Sequence, residues 1–154
     1  MNRFKILSIK EKNEIVDLLK KQFGIQKLSG LIVQKGKEKL FLFIGKFGPK
    51  EIKQLEEKTI IERIGIYFAR IERGEIRLSL EGVQMLKDQI TKNIFELNEE
   101  QANIWMHGSE LNIATGERGY LVMKYKNDYL GCGKASAEKI GNFVPKSRRL
   151  KHKN

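Results

Sequence analysis

One cysteine, two histidines and one tryptophan in 154 residues leave little material for several kinds of chemistry. Cys132 has no second cysteine with which to close an internal disulfide or build a zinc cluster. His107 and His152 stand far apart in the chain, without carboxylates or cysteines at metal-ligand spacing and without a visible orienting partner. The turn Gly45-Lys-Phe-Gly48-Pro49 lacks the spacing of a nucleotide-binding loop, and a turn followed by a helix start accounts for both glycines. Neither a cofactor site nor a metal site is read. Long apolar runs are missing too: Leu31 to Val33 and Leu40 to Ile44 fall far short of the ~20 residues that cross a bilayer. The first six residues scatter charge through what would be the apolar part of a secretory signal. A cytoplasmic protein without membrane association is expected. No linker rich in proline, glycine or serine, no repeat and no low-complexity segment interrupts the chain.

What the sequence does have is positive charge. Lysine and arginine outnumber the acids by 30 to 19, for a net +11, while 40% apolar residues support a real core. That excess points to an anionic partner, nucleic acid or an anionic surface, and is silent about fold. It is shared between the halves of the chain, so both halves could face one polyanion.

Periodicity predicts the element order. Ser8-Ile-Lys-Glu11 has the form of a capping box, and Ile15, Val16, Leu19 and Phe23 repeat at helical spacing up to a stop at Gly24. Leu28 to Gln34 and Lys39 to Ile44 read as a hairpin around Lys35-Gly36-Lys37, the second strand apolar enough to be buried on both faces. A second helix is predicted from Gly48-Pro49 to about Lys58. Strands at Ile64 to Ile71 and Ile76 to Leu80 follow, joined by Glu72-Arg73-Gly74-Glu75, then a short helix carrying Val83, Leu86 and Ile90. Near Thr91 the pattern changes: a strand at Asn93 to Leu97 precedes a helix capped by Asn98, with Ala102, Trp105 and Met106 facing a core. The expectation is an α+β fold, with residues 1–90 forming one unit of mostly antiparallel pairing packed on a second at 91–154.

The stretch from Gly119 to Leu150 carries most of the functional signal. Tyr120 to Lys126 and Tyr129 to Ser136 predict a hairpin turning at Asn127-Asp128. Gly131 and Gly133, on either side of Cys132, imply a bulge, a sharp bend or the close approach of another group. The last 21 residues hold seven cations against Glu138 alone, a net +6. Arginine pairs there suit phosphate geometry, and Phe143, Val144, Pro145 and Leu150 argue for an ordered surface rather than a loose tail.

The run Gly119-Tyr-Leu-Val-Met-Lys-Tyr, the element Leu130-Gly-Cys-Gly-Lys-Ala and the ending Asn142-Phe-Val-Pro-Lys-Ser-Arg-Arg resemble a PUA domain, an RNA-binding module. Two versions are similar: the PUA-like segment of Sun-family RNA cytosine methyltransferases, which the Asn-x-x-Pro-Lys ending resembles, and the small ribosome-biogenesis factors in which a pre-PUA domain precedes the PUA domain. The second fits the layout of the whole chain better. The resemblance implies a pre-PUA-like α/β domain at 1–90 packed on a PUA-like β-barrel at 91–154, and a non-enzymatic protein acting on rRNA in ribosome biogenesis or rRNA processing. The contrasting reading is an accessory subunit that brings a methyltransferase or pseudouridine synthase to tRNA or rRNA. Together with the charge pattern, the resemblance makes Lys124, Tyr125, Lys126, Lys134, Lys146, Arg148, Arg149 and Lys151 the expected RNA contacts. In Sun-family enzymes a cysteine attacks the cytosine ring, but Cys132 sits between glycines in a strand and is expected to be a buried, inert thiol. Tyr125 and Tyr129 could stack on a base or pack across the hairpin.

Overall fold

The computed structural model describes residues 4–44 and 65–151. The predicted second helix, the glycine turn before it and His152 lie outside the described residues. Among the described residues, nine strands and three α-helices follow in the order β1 (Phe4–Ile6), α1 (Ile9–Phe23), β2 (Leu31–Lys35), β3 (Lys39–Phe43), β4 (Ile66–Glu72), β5 (Glu75–Leu78), α2 (Leu80–Leu86), β6 (Ile94–Glu96), α3 (Glu99–Met106), β7 (Gly119–Tyr125), β8 (Asp128–Ala135) and β9 (Ile140–Asn142). They build a five-stranded antiparallel sheet, β1-β2-β3-β4-β5, and a four-stranded mixed sheet, β6-β7-β8-β9.

The capping box forms as the sequence implies. Ser8 Oγ accepts from the Glu11 amide at 3.1 Å, and Glu11 returns the bond to the Ser8 amide at 3.0 Å, so two free donors at the start of α1 are satisfied. Gly24 ends the helix in the left-handed region (φ 78°), where a side chain would be strained. The buried stripe Ile15, Leu19 and Phe23 faces the first sheet's core. Strand β3 is central, and Leu40, Phe41, Leu42 and Phe43 are all buried. Alternation divides them: Leu40 and Leu42 join the core under α1, while Phe41 and Phe43 cluster with Val33 and Tyr67 on the other face. Edge strand β5 is closed by a side chain, because Gln22 receives the Ile76 amide at 2.7 Å and donates to the Ile76 carbonyl at 3.0 Å. A glutamine amide thus substitutes for a further strand.

The second sheet is mixed, and it departs from expectation in one respect, its closure. Strand β6 pairs with β7 in parallel, a crossover that carries α3 onto the sheet. The expected barrel is not closed: β6 and β9 are the edges of an open sheet, and β9 pairs with β8 and makes one bridge, Ile140 to Leu111. These two edges, three residues each, are not paired with one another.

The central pair β7 and β8 serves two cores at once. Tyr120, Val122 and Cys132 point into the core shared with α1, α2 and the first sheet, whereas Leu121, Met123 and Ala135 pack with Trp105 and Ile140 under α3. Both glycines flanking Cys132 have a visible cause. Val122 faces Cys132 and Lys124 faces Tyr129, so two residues of β8, Leu130 and Gly131, oppose Met123 alone. That bulge puts Gly131 at φ 89°. Gly133 is instead a packing requirement: a β-carbon there would lie 2.7 Å from Trp105 Cη2 and 2.7 Å from Ile140 Cγ2. Trp105 itself is fully buried and donates from Nε1 to the Leu130 carbonyl at 2.7 Å.

Candidate nucleic-acid interface

The hairpin turns one residue earlier than expected. Tyr125 pairs with Asp128, leaving Lys126 and Asn127 as the loop, with Lys126 in the left-handed region at φ 52°. Around this tip, Lys126 Nζ lies 5.3 Å from the Tyr125 ring centre and Lys124 Nζ lies 5.4 Å from that of Tyr129. Lys124 also approaches Glu96 at 3.8 Å. The tyrosines divide between the two cores, Tyr125 packing beside α3 and Tyr129 against the core shared with the first sheet.

Lys134 lies elsewhere. It is paired with Tyr120 at the opposite end of the same strands, four residues and roughly 13 Å from the Lys124 position at ~3.3 Å per residue. Its Nζ is 5.5 Å from the Tyr120 ring centre. The Tyr120 hydroxyl donates to Glu72 of β4 at 2.8 Å, and Glu72 also meets Arg70 at 3.2 Å and Arg77 at 3.7 Å. Burial, then the bond to Glu72, pushes the Tyr120 hydroxyl far above its usual range. The same bond, assisted by Arg77 and Arg70, holds the Glu72 carboxyl below its own. Arg77 in turn lies over the Phe143 ring, its guanidinium carbon 4.2 Å from the ring centre.

The terminal cations do not act as one group. Lys146 and Lys151 are exposed. Arg148 pairs with Glu81 of α2 at 2.8 Å, tying the end of the chain to the first unit. Arg149 donates from Nε to the Val144 carbonyl at 2.9 Å and lies across the Gly108 backbone, so closely that a β-carbon on Gly108 would come within 2.4 Å of Nε. Both arginines therefore have structural work, which sequence reasoning assigned wholly to RNA. Arg77 and Tyr120 were missed as members of a basic patch. The alternation of Ile76-Arg77-Leu78 marked Arg77 as outward-facing, but nothing local indicated that β5 would meet the ending at Phe143.

Cys132 is 3% exposed, and burial pushes its thiol up to about 12, the opposite of an activated nucleophile. A cleft of about 360 Å³ beside β6 is lined by Asn93, Phe95, Thr115 and Leu121 together with one charged residue, Glu117, and offers no cation to a phosphate. Among the described residues no group of three or more histidine, cysteine or acidic side chains could hold a metal ion, and no helix is long and apolar enough to cross a membrane.

Residues 92–150 match the family described as the methyltransferase RsmF PUA domain. The C-terminal unit is a PUA domain. Of the two versions weighed above, this is the one resembling the Sun-family segment. The chain is 28% identical over 131 residues to the ribosomal RNA small subunit methyltransferase F of Psychromonas ingrahamii, covering 81% of this chain and 26% of that protein. It is 25% identical over 144 residues to the protein of the same name from Vibrio cholerae, covering 93% and 29%. The corresponding Aeromonas salmonicida protein is 26% identical over 147 residues, again covering 93% and 29%. The chain thus spans less than a third of the length of these relatives, and the similarity extends beyond the PUA domain into the first sheet.

Proposed function

We propose that the chain is a non-enzymatic RNA-binding protein that acts on ribosomal RNA in the cytoplasm, with its PUA domain as the principal contact. The observation that carries this reading is the match at residues 92–150 joined to the exposed cations on the same unit, Lys126, Lys134, Lys146 and Lys151. Phosphate contacts of this kind supply affinity and register, while base contacts supply specificity. The inert, buried Cys132 supports a role without chemistry of its own.

Two settings for such binding differ in partner. One is ribosome biogenesis or rRNA processing. The other is delivery of an RNA-modifying enzyme, a reading favoured by relatives that carry the name of a ribosomal RNA methyltransferase. Fluorescence anisotropy with single-stranded and duplex RNA, repeated across salt, tests the binding itself. Log affinity is expected to fall with log salt by ~0.7 for each phosphate contact on a single strand. No binding at low salt would refute the function. Affinity purification then separates the settings, with pre-ribosomal particles supporting the first and a methyltransferase or pseudouridine synthase the second.

A further inference from the structure

The large apolar side chains left exposed among the described residues are Ile9, Ile44, Ile104, Leu150 and one aromatic, Phe143, which is 37% exposed. Phe143 is held more firmly than its exposure suggests. The Asn142 side chain donates to the carbonyls of Trp105 at 2.8 Å and Ser109 at 2.9 Å, and accepts from the Val144 amide at 2.7 Å. Val144 is buried on the far side. Backbone on both sides of the ring is therefore anchored to the core under α3.

The ring's surroundings are cationic. Arg77 reaches across from β5 to lie over it at 4.2 Å, with its side chain only 19% exposed and Glu72 at 3.7 Å keeping the guanidinium in place. Tyr120 borders the ring at 6.3 Å and a 54° tilt. Lys134 pairs in register with Gly141, two residues before Phe143, so it rises on the same side of the strand, with no side chain at Gly141 to separate them. Nearby Glu110 is paired with Lys139 at 3.0 Å.

We infer that Phe143, backed by the Arg77 guanidinium, is a stacking platform for an unpaired RNA base, with Lys134 receiving an adjacent phosphate. This inference rests on the RNA-binding reading and locates a base contact within it. A base laid on the exposed part of the ring completes a stack of base, phenyl and guanidinium, and a ring already packed against Arg77 and Tyr120 loses little side-chain freedom on binding. Stacking needs a π-face and no particular base edge, so the platform selects single strands over duplex without strong sequence preference. The hairpin tip is a weaker candidate, because Lys124 is partnered by Glu96 and the half-buried Tyr129 packs against the core. A ring that merely covers the junction between the sheets could be replaced by another apolar side chain, and this contrast defines the test.

The probes are single-stranded RNA decamers in which 2-aminopurine is walked through each position, and their duplex counterparts. Wild-type protein is expected to bind the single strands more tightly and to quench 2-aminopurine at one or more positions. Phe143→Leu keeps apolar cover but removes the π-face; it is expected to weaken single-strand binding about 5- to 150-fold and to abolish the quenching. Phe143→Trp is expected to retain both. Lys134→Gln should weaken binding and lower the salt slope by ~0.7 while quenching at saturation persists. Wild-type affinity and quenching in Phe143→Leu would overturn the platform and leave RNA binding standing. Equal losses in Phe143→Leu and Phe143→Trp would also overturn it, by exposing a structural role. If the wild-type protein binds none of the RNAs, the platform and the function fall together.

Discussion

Gly133→Ala is the smallest change that tests how the second core is packed. The added methyl group would sit 2.7 Å from both Trp105 Cη2 and Ile140 Cγ2 and 3.0 Å from the Gly141 carbonyl oxygen. Flexible surface atoms could move aside, but these belong to a fully buried indole, a fully buried isoleucine and a paired strand. Overpacking of this kind costs ~1–3 kcal/mol, and three rigid neighbours place the expectation at the upper end, about 3 kcal/mol. Trp105→Phe supplies the second arm of a double-mutant cycle. Phenylalanine gives up the Cη2 position and the indole N–H bonded to the Leu130 carbonyl at 2.7 Å, so alone it should cost ~2–3 kcal/mol from lost packing and an unpaired carbonyl. In that background one of the two side-chain clashes is gone, and the alanine should cost about 1 kcal/mol less than in the wild type. Urea denaturation with fixed m-values measures all four corners. Equal cost of Gly133→Ala in both backgrounds would refute the claim that Trp105 dictates this glycine.

Cys132 should react with a thiol reagent only on unfolding, given its burial and a thiol pushed up to about 12, and Cys132→Ala should leave RNA affinity unchanged with no covalent adduct in either protein. The Glu72 carboxyl is depressed in the folded state, so its contribution is present above the ordinary carboxylate range and is lost as pH falls through the depressed value. The urea midpoint should accordingly decline below about pH 4.5, less steeply in Tyr120→Phe, which lacks the donor. Arg148→Ala should cost less than ~1 kcal/mol because its pair with Glu81 is half exposed, whereas Arg149→Ala, losing the bond to Val144 and its packing over Gly108, should cost more, as thermal melts of the two variants will show.

Local signals were legible in the sequence, and long-range ones were not. The Ser8 box, the Gly24 stop, the doubly buried β3 and the Trp105 helix are each specified by residues within one or two turns of each other. The pair of glycines around Cys132 announced an irregularity, but only the structure separates a bulge at Gly131 from a contact at Gly133. Strands β1 and β9 escaped notice because each is a short segment defined by its pairing with β2 or β8 rather than by a pattern of its own. The surroundings of the candidate site were hidden for the same reason. A run of cations is visible as charge, yet whether Arg149 meets solvent or the backbone of Gly108 depends on a residue 41 positions earlier. Arg77 joined the patch through a still more distant neighbour in sequence, Phe143.

Strand β7 alternates its side chains between two cores, and this bears on how the molecule comes apart. Fragment 91–154 expressed alone would present Tyr120, Val122 and Cys132 to water, while fragment 1–90 would lose the surface that completes the packing of Leu78, Val83 and Ile90. Neither piece could leave the other without stripping apolar area from both, so melting should be one cooperative event, with the same midpoint whether followed at Trp105 in one core or by exchange of α1 amides beside the other. A module so joined cannot be exchanged between proteins by cutting near Thr91; it has to travel with the sheet against which it folds.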